Sequence, residues 1–426
     1  MSMLDSGERD HFVIIGGGLA AASAAEGVRD AGFTGRVSII AGEAEYPYIR
    51  PPLSKEYLIG SAQRSSIFVH DDGWYEEHDI RVLRGQAATG LSIEAHSLTL
   101  GGGGVVGFDK LLFATGARSR RFPGPGAQLA GVHYLRTVGE SEALAAALAP
   151  GGRRVVIIGS GWIGLETASA ARGYGNDVTV LGREAVPLQY AIGPEIGMVF
   201  DALHRANGVD LRNSSSVVAI EGSDGVATGV RMEDGELIPA DVVVVGIGSL
   251  PNAELAETAG LTVENGIVVD EGFRSSHPDV YAAGDVANVF HPVIARSLRV
   301  EHWATARDAG LAAGGSMAGR RVEYMKIPYF YTDQFDLGME YSGYGILMNG
   351  AELVLRGDLE KREFLAFWLR EDRVVAGMNV NVWDVNETVQ ALIRDEVQVD
   401  AARLADPAVP LDSLLSGVPG GAGVTA

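Results

Sequence analysis

The chain has 426 residues, which is too long for a single hydrophobic core and predicts two or three domains. Its formal net charge of -21 argues against general nucleic-acid binding, because a phosphate backbone is neutralised by basic side chains. The chain has no cysteine, which excludes disulfide pairs, thiolate nucleophiles and cysteine-ligated clusters, so any redox chemistry needs a bound organic cofactor.

The start of the chain shows no targeting signal. Residues 1–10 are acidic and lack the apolar stretch of a secretory signal peptide. No apolar run reaches the roughly eighteen residues that a membrane helix requires. We therefore expect a cytoplasmic enzyme with neither a membrane nor a nucleic-acid partner.

The first predicted elements form a strand–helix–strand unit. An apolar strand begins at Phe12, an alanine-rich helix follows, and a second strand covers residues 37–41. Between strand and helix, Gly16, Gly18 and Ala21 form the pattern G-x-G-x-x-A. The first glycine allows a tight turn, the second lets a pyrophosphate approach the backbone, and the small third residue lets helix and strand pack closely.

Glu43 follows the second strand of this unit and is placed to accept hydrogen bonds from a ribose hydroxyl. A glycine pattern alone is a weak signal, and a structural turn is the alternative interpretation. The combination of strand, helix, second strand and acid favours a dinucleotide site.

A second unit of the same kind begins with a strand at Val155 and ends with a strand over residues 178–181. Gly159, Gly161 and Gly164 satisfy the complete G-x-G-x-x-G pattern between its strand and its helix. The sequence therefore predicts two Rossmann-like dinucleotide-binding domains.

The acid expected after the second unit is missing, because Gly182 and Arg183 stand where a carboxylate would bind the adenosine ribose of NADH. An arginine there can accommodate the extra phosphate of NADPH, whereas a solvated surface arginine is the alternative. Glu184 is a third possibility, as a ligand for NADH. The sequence predicts nucleotide binding and leaves the choice of nucleotide open.

Each unit is followed by a further apolar strand that ends in glycine. The first leads to Thr115 and Gly116, and the second leads to Gly248. A later strand ends at Gly284-Asp285, where the carboxylate is expected to bind the ribityl chain of FAD. Two dinucleotide sites in one chain predict a resident FAD and an exchanging NAD(P)H.

Beyond about Ile327 the pattern changes to alternating strands. Strands are predicted over residues 352–355, 363–369 and 373–379. A helix is predicted from Asn386, because Asp384 and Glu387 have the spacing of a capping box. This region forms a third, mixed domain without a nucleotide fingerprint.

From about Phe12 to Pro410 the chain resembles the FAD-dependent, NAD(P)H-dependent ferredoxin reductases that serve bacterial ring-hydroxylating dioxygenases and haem-thiolate monooxygenases, relatives of apoptosis-inducing factor. Besides the glycine loops, six segments carry the resemblance: Tyr48-Ile-Arg-Pro-Pro-Leu-Ser-Lys55, Tyr134-Leu-Arg136-Thr, Gly164-Leu-Glu166, Ala282-Ala-Gly-Asp285, Val300-Glu-His-Trp-Ala304 and Pro328-Tyr-Phe-Tyr-Thr-Asp-Gln334.

The expected fold class is α/β, with two Rossmann-like domains for FAD and NAD(P) and a C-terminal α+β domain. Residues 1–121 and 249–326 are expected to form the FAD domain, 122–248 the NAD(P) domain and 327–416 the C-terminal domain. Residues 417–426 are rich in glycine and are expected to be disordered.

The resemblance implies that Lys55 and Glu166 form a catalytic pair beside the reactive edge of the flavin. A lysine in an otherwise apolar loop needs a counter-ion if it is buried, and its charge near flavin N5 would stabilise the reduced ring. Matching family positions and local motifs together predict these cofactor-binding residues: Gly16, Gly18, Ala20, Ala21, Glu43, Arg50, Lys55, Ala88, Thr115, Gly116, Arg136, Gly159, Gly161, Ile163, Gly164, Glu166, Arg183, Gly248, Gly284, Asp285, Trp303 and Tyr331.

Two further positions depart from the family pattern. Ile49 replaces an acidic residue and is expected to alter how Arg50 is held. Tyr331 replaces a tryptophan that usually lies near the flavin, so the electron exit or the partner surface is expected to differ. No histidine pair has metal-ligand spacing, and we expect no metal.

The expected reaction is hydride transfer from nicotinamide to FAD N5, followed by single-electron transfer to a small iron–sulfur ferredoxin that feeds an oxygenase. The expected partner surface is a local cationic rim drawn from Arg64, Arg296, Arg299, Arg307, Arg320 and Arg321. Rubredoxin, a quinone or oxygen are alternative acceptors, and a signalling flavoprotein like apoptosis-inducing factor is the alternative from another class. A monomer and a homodimer are both compatible with the sequence.

Overall fold

The computed structural model describes residues 10–416, so the predicted disorder of residues 417–426 lies outside the described part. The described chain divides into two compact units. The first unit comprises residues 10–52, 62–120 and 249–326, and the second comprises 53–61, 121–248 and 327–416.

A five-stranded parallel sheet forms the centre of the first unit. In spatial order its strands are Val280–Ala282, Lys110–Phe113, His11–Ile15, Arg36–Ile40 and Ile80–Leu83. Every residue of the central strand is buried, as expected for a parallel strand covered on both faces. Strand order reverses at this central strand, and the crevice at such a point is where Rossmann folds bind nucleotides.

Three smaller sheets complete the strands of the first unit. They are Ala88–Ser92 with Ser97–Leu100 and Val105–Gly107; Ala117–Ser119 with Ser249–Pro251; and Ile267–Val269 with Ala287–His291 and Arg296–Leu298. The α-helices of this unit are Leu19–Asp30, Asp72–Glu77, Glu254–Thr258 and Trp303–Met317. Its 3-10 helices are Arg64–Ile67, Gly284–Val286 and Pro292–Ile294, and a fourth, Pro51–Ser54, precedes Lys55.

Two helices of the first unit pack at close range because glycines line their contact. A Cβ on Gly310 would lie 2.6 Å from the carbonyl oxygen of Ala20, and a Cβ on Gly314 would overlap the carbonyl oxygen of Ala24. The Trp303–Met317 helix is thereby held against the helix that follows the first glycine loop.

The second unit contains a parallel sheet of the same design. In spatial order its strands are Asp210–Arg212, Asp177–Leu181, Arg154–Ile158, Val242–Val245 and Val132–His133. A three-stranded antiparallel sheet, Val217–Ser223, Val226–Met232 and Leu237–Pro239, accompanies it. The α-helices of this part are Val138–Leu148, Trp162–Gly173, Gln189–Ile192 and Pro194–Ala206.

The C-terminal part of the second unit is a five-stranded antiparallel sheet. In spatial order its strands are Tyr329–Gln334, Leu337–Gly343, Arg373–Val380, Glu363–Arg370 and Glu352–Asp358. Its helices are Gly345–Met348, Asn386–Arg394, Ala401–Ala405 and the 3-10 helix Leu411–Ser416. A continuous apolar core joins this sheet to the parallel sheet, since Leu165, Phe200, Met339 and Trp368 belong to one buried cluster.

The predicted fold class of two parallel α/β sheets plus a C-terminal α+β region is confirmed. One local prediction is wrong, because Asp384 does not cap the helix that begins at Asn386. Asp384 has φ +60° and Val385 occupies the N-cap position without a side-chain hydrogen bond. Within residues 10–416 no helix is both long and apolar enough to cross a membrane.

Candidate functional site

The first glycine loop has open space at Gly18. Gly16 has φ +133°, and a Cβ on it would overlap the carbonyl oxygen of Ala114. No atom lies within 4 Å of the position that a Cβ on Gly18 would occupy, directly before the Leu19–Asp30 helix. Ala21 is fully buried. The loop therefore fits a pyrophosphate at the helix N-terminus, where free N–H groups favour an anion.

The predicted ribose ligand Glu43 lies beside this loop. Arg50 Nη2 is 3.1 Å from Glu43 Oε1, and the Tyr48 hydroxyl donates a hydrogen bond to Glu43 Oε2. Tyr48 also forms an isolated parallel β-bridge with Gly18. The substitution at Ile49 therefore leaves Arg50 with a carboxylate partner, which Glu43 supplies.

The strand that ends in Gly284 brings Asp285 to the same loop. Gly284 has φ +74°, and a Cβ on it would lie 2.8 Å from Ala20 Cβ. Asp285 is only 9% exposed, and Arg299 Nη1 donates a hydrogen bond to its main-chain oxygen at 3.1 Å. Gly16, Gly18, Ala20, Ala21, Glu43, Arg50, Gly284 and Asp285 are thus brought together in the first unit.

Trp303 supplies a test of whether this site fits FAD. Its indole Nε1 is buried and has no hydrogen-bond partner within residues 10–416. Buried donors are nearly always paired, so an orphaned donor indicates a missing acceptor. Burial lowers the pKa of the neighbouring His302 to about 4, so that imidazole is neutral near pH 7. The orphaned donor and the open space at Gly18 both fit a polar cofactor such as FAD.

Three other predicted FAD residues also lie in the first unit. Thr115 Oγ1 donates to the carbonyl oxygen of Asn252 at 2.8 Å, and the Asn252 N–H donates to the carbonyl of Gly116 at 2.9 Å. Ala88 begins the Ala88–Ser92 strand and is partly buried against the core. Asn252 was not predicted, because nothing in the local sequence shows that it holds a segment so distant in the chain.

The glycine loop of the second unit repeats the geometry of the first. Gly159 has φ +114°, and a Cβ on it would overlap the carbonyl oxygen of Gly246. A Cβ on Gly164 would overlap the carbonyl oxygen of Gly159, so helix and loop require two glycines here. No atom lies within 4 Å of a Cβ position on Gly161. The open space again lies at the middle glycine, where a pyrophosphate would approach.

Two predicted residues near this loop are available to a ligand. Gly248 has φ +100° and open space around its Cβ position. Ile163, in the first turn of the Trp162–Gly173 helix, is 42% exposed, which is high for a large apolar side chain. An open glycine and an exposed isoleucine fit the approach of a planar, partly apolar nicotinamide ring.

The position of the missing acid is closed to a larger side chain. A Cβ on Gly182 would overlap Ser160 Oγ and lie 2.9 Å from Ser160 Cβ. Arg183 is exposed and forms neither an ion pair nor a hydrogen bond within the described chain. Glu184 Oε2 accepts a hydrogen bond from the Gln189 N–H at 2.9 Å, so this carboxylate helps to hold its own loop.

The structure brings Lys55 and Glu166 together inside the second unit. Lys55 Nζ is 2.8 Å from Glu166 Oε1, and the two side chains are only 8% and 3% exposed. Ser54 Oγ donates to Glu166 Oε2 at 2.5 Å, and Thr332 Oγ1 donates to Glu166 Oε1 at 2.6 Å. A buried ion pair of this kind persists only when further hydrogen bonds satisfy the carboxylate, which the two hydroxyl groups do here.

Tyr331 lies beside the ammonium group of this pair, and Asp333 interacts with it electrostatically. Lys55 Nζ lies 5.4 Å from the centre of the Tyr331 ring, within the range of a cation–π contact. Burial raises the pKa of the Tyr331 hydroxyl to about 12. Burial also raises the pKa of Asp333, with Lys55 opposing that shift. Tyr331, which is predicted to replace a tryptophan of the family pattern, contacts the predicted catalytic lysine.

Arg136 lies in the second unit, unlike most predicted FAD residues. Its main-chain N–H donates to Glu140 Oε2 at 2.9 Å. The adjacent Thr137 and Glu140 form a true capping box at the start of the Val138–Leu148 helix. Of the predicted FAD residues, Lys55, Arg136 and Tyr331 belong to the second unit and the others to the first.

Most of the chain matches known protein families. Residues 10–310 match the family described as pyridine nucleotide-disulphide oxidoreductase. The chain belongs to this family. Residues 329–415 match a second family, described as reductase C-terminal. Although the first family is named for a disulphide, this oxidoreductase has no cysteine.

Individual relatives match over nearly their whole length. The anthranilate 1,2-dioxygenase system ferredoxin–NAD(+) reductase component of Burkholderia cepacia is 38% identical, over 95% of this chain and 99% of the relative. Rhodocoxin reductase of Rhodococcus erythropolis is 36% identical, over 93% of this chain and 92% of the relative. The reductase in the crystal structure of the covalent putidaredoxin reductase–putidaredoxin complex superposes with a TM-score of 0.92 at 33% identity, covering 96% of this chain and 98% of that one.

These matches confirm the predicted resemblance, the fold class and an oxidoreductase that uses FAD and NAD(P)H. The roles assigned to individual residues, and the assignment of FAD and NAD(P) to particular domain boundaries, stay predictions. The sequence analysis did not identify Ser54 and Thr332 as hydrogen-bond donors to Glu166. It also did not identify the close packing of Ser160 against Gly182.

Proposed function

We propose that this protein is the reductase of an oxygenase system, taking hydride from NAD(P)H onto FAD and passing single electrons to a ferredoxin. The observation that carries the proposal is the pair of glycine loops, each at the switch point of its own parallel sheet and each open at its middle glycine. Relatives whose names identify them as ferredoxin reductases support the choice of acceptor.

The first unit is proposed to hold FAD. Glu43 accepts hydrogen bonds from the ribose hydroxyls, Asp285 binds the ribityl chain, and Trp303 Nε1 donates a hydrogen bond to an acceptor atom of the cofactor. The loop at Gly16 and Gly18 receives the pyrophosphate. When bound, FAD accepts two electrons as a hydride and releases them one at a time, which is the conversion that a one-electron acceptor needs.

The second unit is proposed to bind NAD(P)H at the loop of Gly159, Gly161 and Gly164, with Ile163 and Gly248 beside the nicotinamide. Lys55 is proposed as a fixed positive charge that favours the reduced state of the cofactor, and Glu166 holds its ammonium group in place. The hydroxyls of Ser54 and Thr332 fix Glu166 in turn, so the position of the charge is set before a ligand binds.

The acceptor is proposed to be a small iron–sulfur ferredoxin that docks through exposed arginines. Arg296, Arg307 and Arg321 are exposed and form no ion pair among residues 10–416. Arg299 is a poor candidate, since Glu301 and the main chain of Asp285 already engage it. Of the predicted cationic rim, Arg64 is likewise paired, with Glu45 at 2.9 Å.

The cellular setting remains part of the proposal. We infer a cytoplasmic enzyme, as expected from the sequence, and a monomer or homodimer. Analytical ultracentrifugation of the holoprotein would decide between those two states.

The central experiment is anaerobic stopped-flow mixing of the purified yellow protein with NADH or NADPH, followed at ~450 nm, the usual flavin absorption region. Rapid bleaching, followed by reoxidation on adding an oxidised ferredoxin from a dioxygenase system, is expected. A long-lived reduced complex that the ferredoxin does not reoxidise would instead support the signalling alternative. A folded protein that takes up no FAD would overturn the proposal.

The docking surface is tested with Arg296→Glu, because this side chain has no partner in the described chain to disturb. We expect a lower second-order rate of ferredoxin reduction and a weaker dependence of that rate on salt. The rate of flavin bleaching by the nucleotide is the internal control and should stay unchanged. Unchanged ferredoxin kinetics would remove Arg296 from the docking surface.

A further inference from the structure

The structure shows what replaces the missing ribose acid of the second unit. In Rossmann domains that bind NAD, a carboxylate after the second strand receives the adenosine 2′-hydroxyl. Here that strand, Asp177–Leu181, is followed by Gly182, and Ser160 leaves no room for a side chain there. A ribose ligand, if the chain has one, has to come from another segment.

Asn213 fills the same space from the neighbouring strand. It directly follows the Asp210–Arg212 strand, which pairs in parallel with Asp177–Leu181. Its Oδ1 lies 3.7 Å from the position that a Cβ on Gly182 would occupy. Two main-chain hydrogen bonds fix this arrangement, from Ser215 N–H to the Gly182 carbonyl at 2.7 Å and from Ser214 N–H to the Glu184 carbonyl at 2.8 Å.

The amide of Asn213 has a defined orientation. Nδ2 donates to Asp201 Oδ1 at 2.7 Å, and because a carboxylate accepts only, Oδ1 has to point the other way. That oxygen is buried and has no hydrogen-bond partner within residues 10–416. A buried acceptor without a partner indicates a donor that arrives with a ligand.

We propose that Asn213 Oδ1 accepts a hydrogen bond from the adenosine 2′-hydroxyl of NADH, and that this contact makes NADH the preferred electron donor. The inference rests on the proposed function, since it names the donor of the same site. It assigns to a neutral amide the role that a carboxylate has in other NAD-binding domains.

The acceptor character of Asn213 Oδ1 favours a hydroxyl over a phosphate. The 2′-phosphate of NADPH would bring acceptor oxygens against an amide oxygen that also only accepts, leaving both unpaired. The carboxylate of Glu184, which holds the loop, repels a dianion, whereas the carboxylate of Asp201, which holds the amide, is already paired with Arg205. Arg183 is the opposing feature, but it is exposed to solvent, where an ion pair contributes little to binding.

The test compares the wild-type holoenzyme with Asn213→Ala, using NADH, its adenosine 2′-deoxy analogue and NADPH as probes. The readout is the second-order rate constant of anaerobic flavin bleaching. For the wild type we expect NADH to react about five- to tenfold faster than the deoxy analogue, the worth of one hydrogen bond, and faster still than NADPH. In Asn213→Ala the NADH rate should fall to that of the deoxy analogue, which itself should not change.

Asn349→Ala is the matched control, because Asn349 is an exposed asparagine outside the nucleotide loops. FAD content and unfolding temperature establish that both variants are folded. Equal losses with NADH and the deoxy analogue in Asn213→Ala, or a wild-type preference for NADPH, would overturn the assignment of Asn213 alone. A wild-type flavin that none of the three nucleotides bleaches would overturn the proposed function and this inference with it.

Discussion

The buried Lys55–Glu166 pair leads to a prediction about stability that does not depend on a bound ligand. Lys55→Met removes the ammonium group and leaves the carboxylate of Glu166, only 3% exposed, without its counter-ion. Breaking a buried pair in this way costs about 3–5 kcal/mol. We expect the lower end, about 3 kcal/mol, because Ser54 and Thr332 still donate hydrogen bonds to the carboxylate.

The double variant Lys55→Met/Glu166→Gln separates loss of charge balance from loss of packing. It removes both charges and keeps an amide that the hydroxyls of Ser54 and Thr332 can engage, so it should be more stable than Lys55→Met alone. Free energies of unfolding from urea denaturation of the holoprotein at pH 7, followed by circular dichroism, give the coupling energy.

The control for this cycle is an ion pair at the surface. Lys361 lies 3.1 Å from Asp358, but its side chain is 73% exposed, so Lys361→Met should leave the unfolding transition almost unchanged. If the effects of Lys55→Met and Glu166→Gln add to within about 0.5 kcal/mol, the two groups are not coupled and the reasoning fails.

Three further outcomes follow from single side chains. Burial lowers the pKa of His204 from 6.5 to about 4, so between these pH values the unfolded state binds a proton that the folded state does not bind. The free energy of unfolding should therefore fall by up to about 3 kcal/mol as the pH drops from 6.5 to 4. His204→Gln should flatten this part of a plot of the urea midpoint against pH. Trp303→Phe should raise the dissociation constant of FAD about fivefold, measured by the fluorescence of released flavin. The control Trp383→Phe, at a residue that is 53% exposed, should leave this constant unchanged. If both variants retain FAD equally well, the Trp303 indole donates no hydrogen bond to the cofactor. Gly161→Ala should fold normally, because its Cβ points into open space, but its flavin should bleach slowly with NAD(P)H, because that space is the proposed nucleotide site. Gly159→Ala should lower the melting temperature, because its Cβ would overlap a carbonyl oxygen. The reverse pattern would contradict the assignment of the loop.

The parts of the site that the sequence revealed are those built from neighbouring residues. The turn at Gly16 and the turn at Gly159 each require a positive φ and a close approach of backbone, and only glycine meets both needs. The strand, loop and helix of each unit lie within one short stretch of chain, so the local sequence pattern is enough to predict the structure of each glycine loop.

The parts that escaped prediction depend on contacts between distant segments. Thr332 is 166 positions from Glu166, and Asn213 reaches Gly182 from the next strand of the sheet. Neither residue type is distinctive, and only the fold buries the Thr332 side chain and Asn213 Oδ1. The family resemblance identified Lys55 and Glu166, but not the hydroxyl groups that hold Glu166.

Two residue pairs with capping-box spacing show how far spacing alone can decide. Thr137 with Glu140 and Asp384 with Glu387 have the same interval, yet only the first pair forms the motif. Thr137 is extended, at φ -105° and ψ 160°, which directs its hydroxyl to the helix N-terminus. Asp384 has φ +60°, and its side chain leaves the helix without a cap.

The short segment 53–61 places Lys55 in the interior of the second unit. This segment belongs to that unit, although the residues on both sides of it in the chain belong to the first. Polar contacts hold it at both ends, from Ser141 Oγ to the Leu53 carbonyl and from Tyr174 OH to the Leu58 carbonyl, each at 2.8 Å.

The ion pair with Glu166 fixes the direction of the Lys55 side chain, because a buried ammonium group has to stay beside its carboxylate. The stability lost in Lys55→Met and the position of a positive charge in the site are therefore two consequences of one contact. A variant that kept the charge but moved the carboxylate, such as Glu166→Asp, should retain most of the stability and still slow flavin bleaching, since the ammonium group would be displaced by about the length of one carbon–carbon bond.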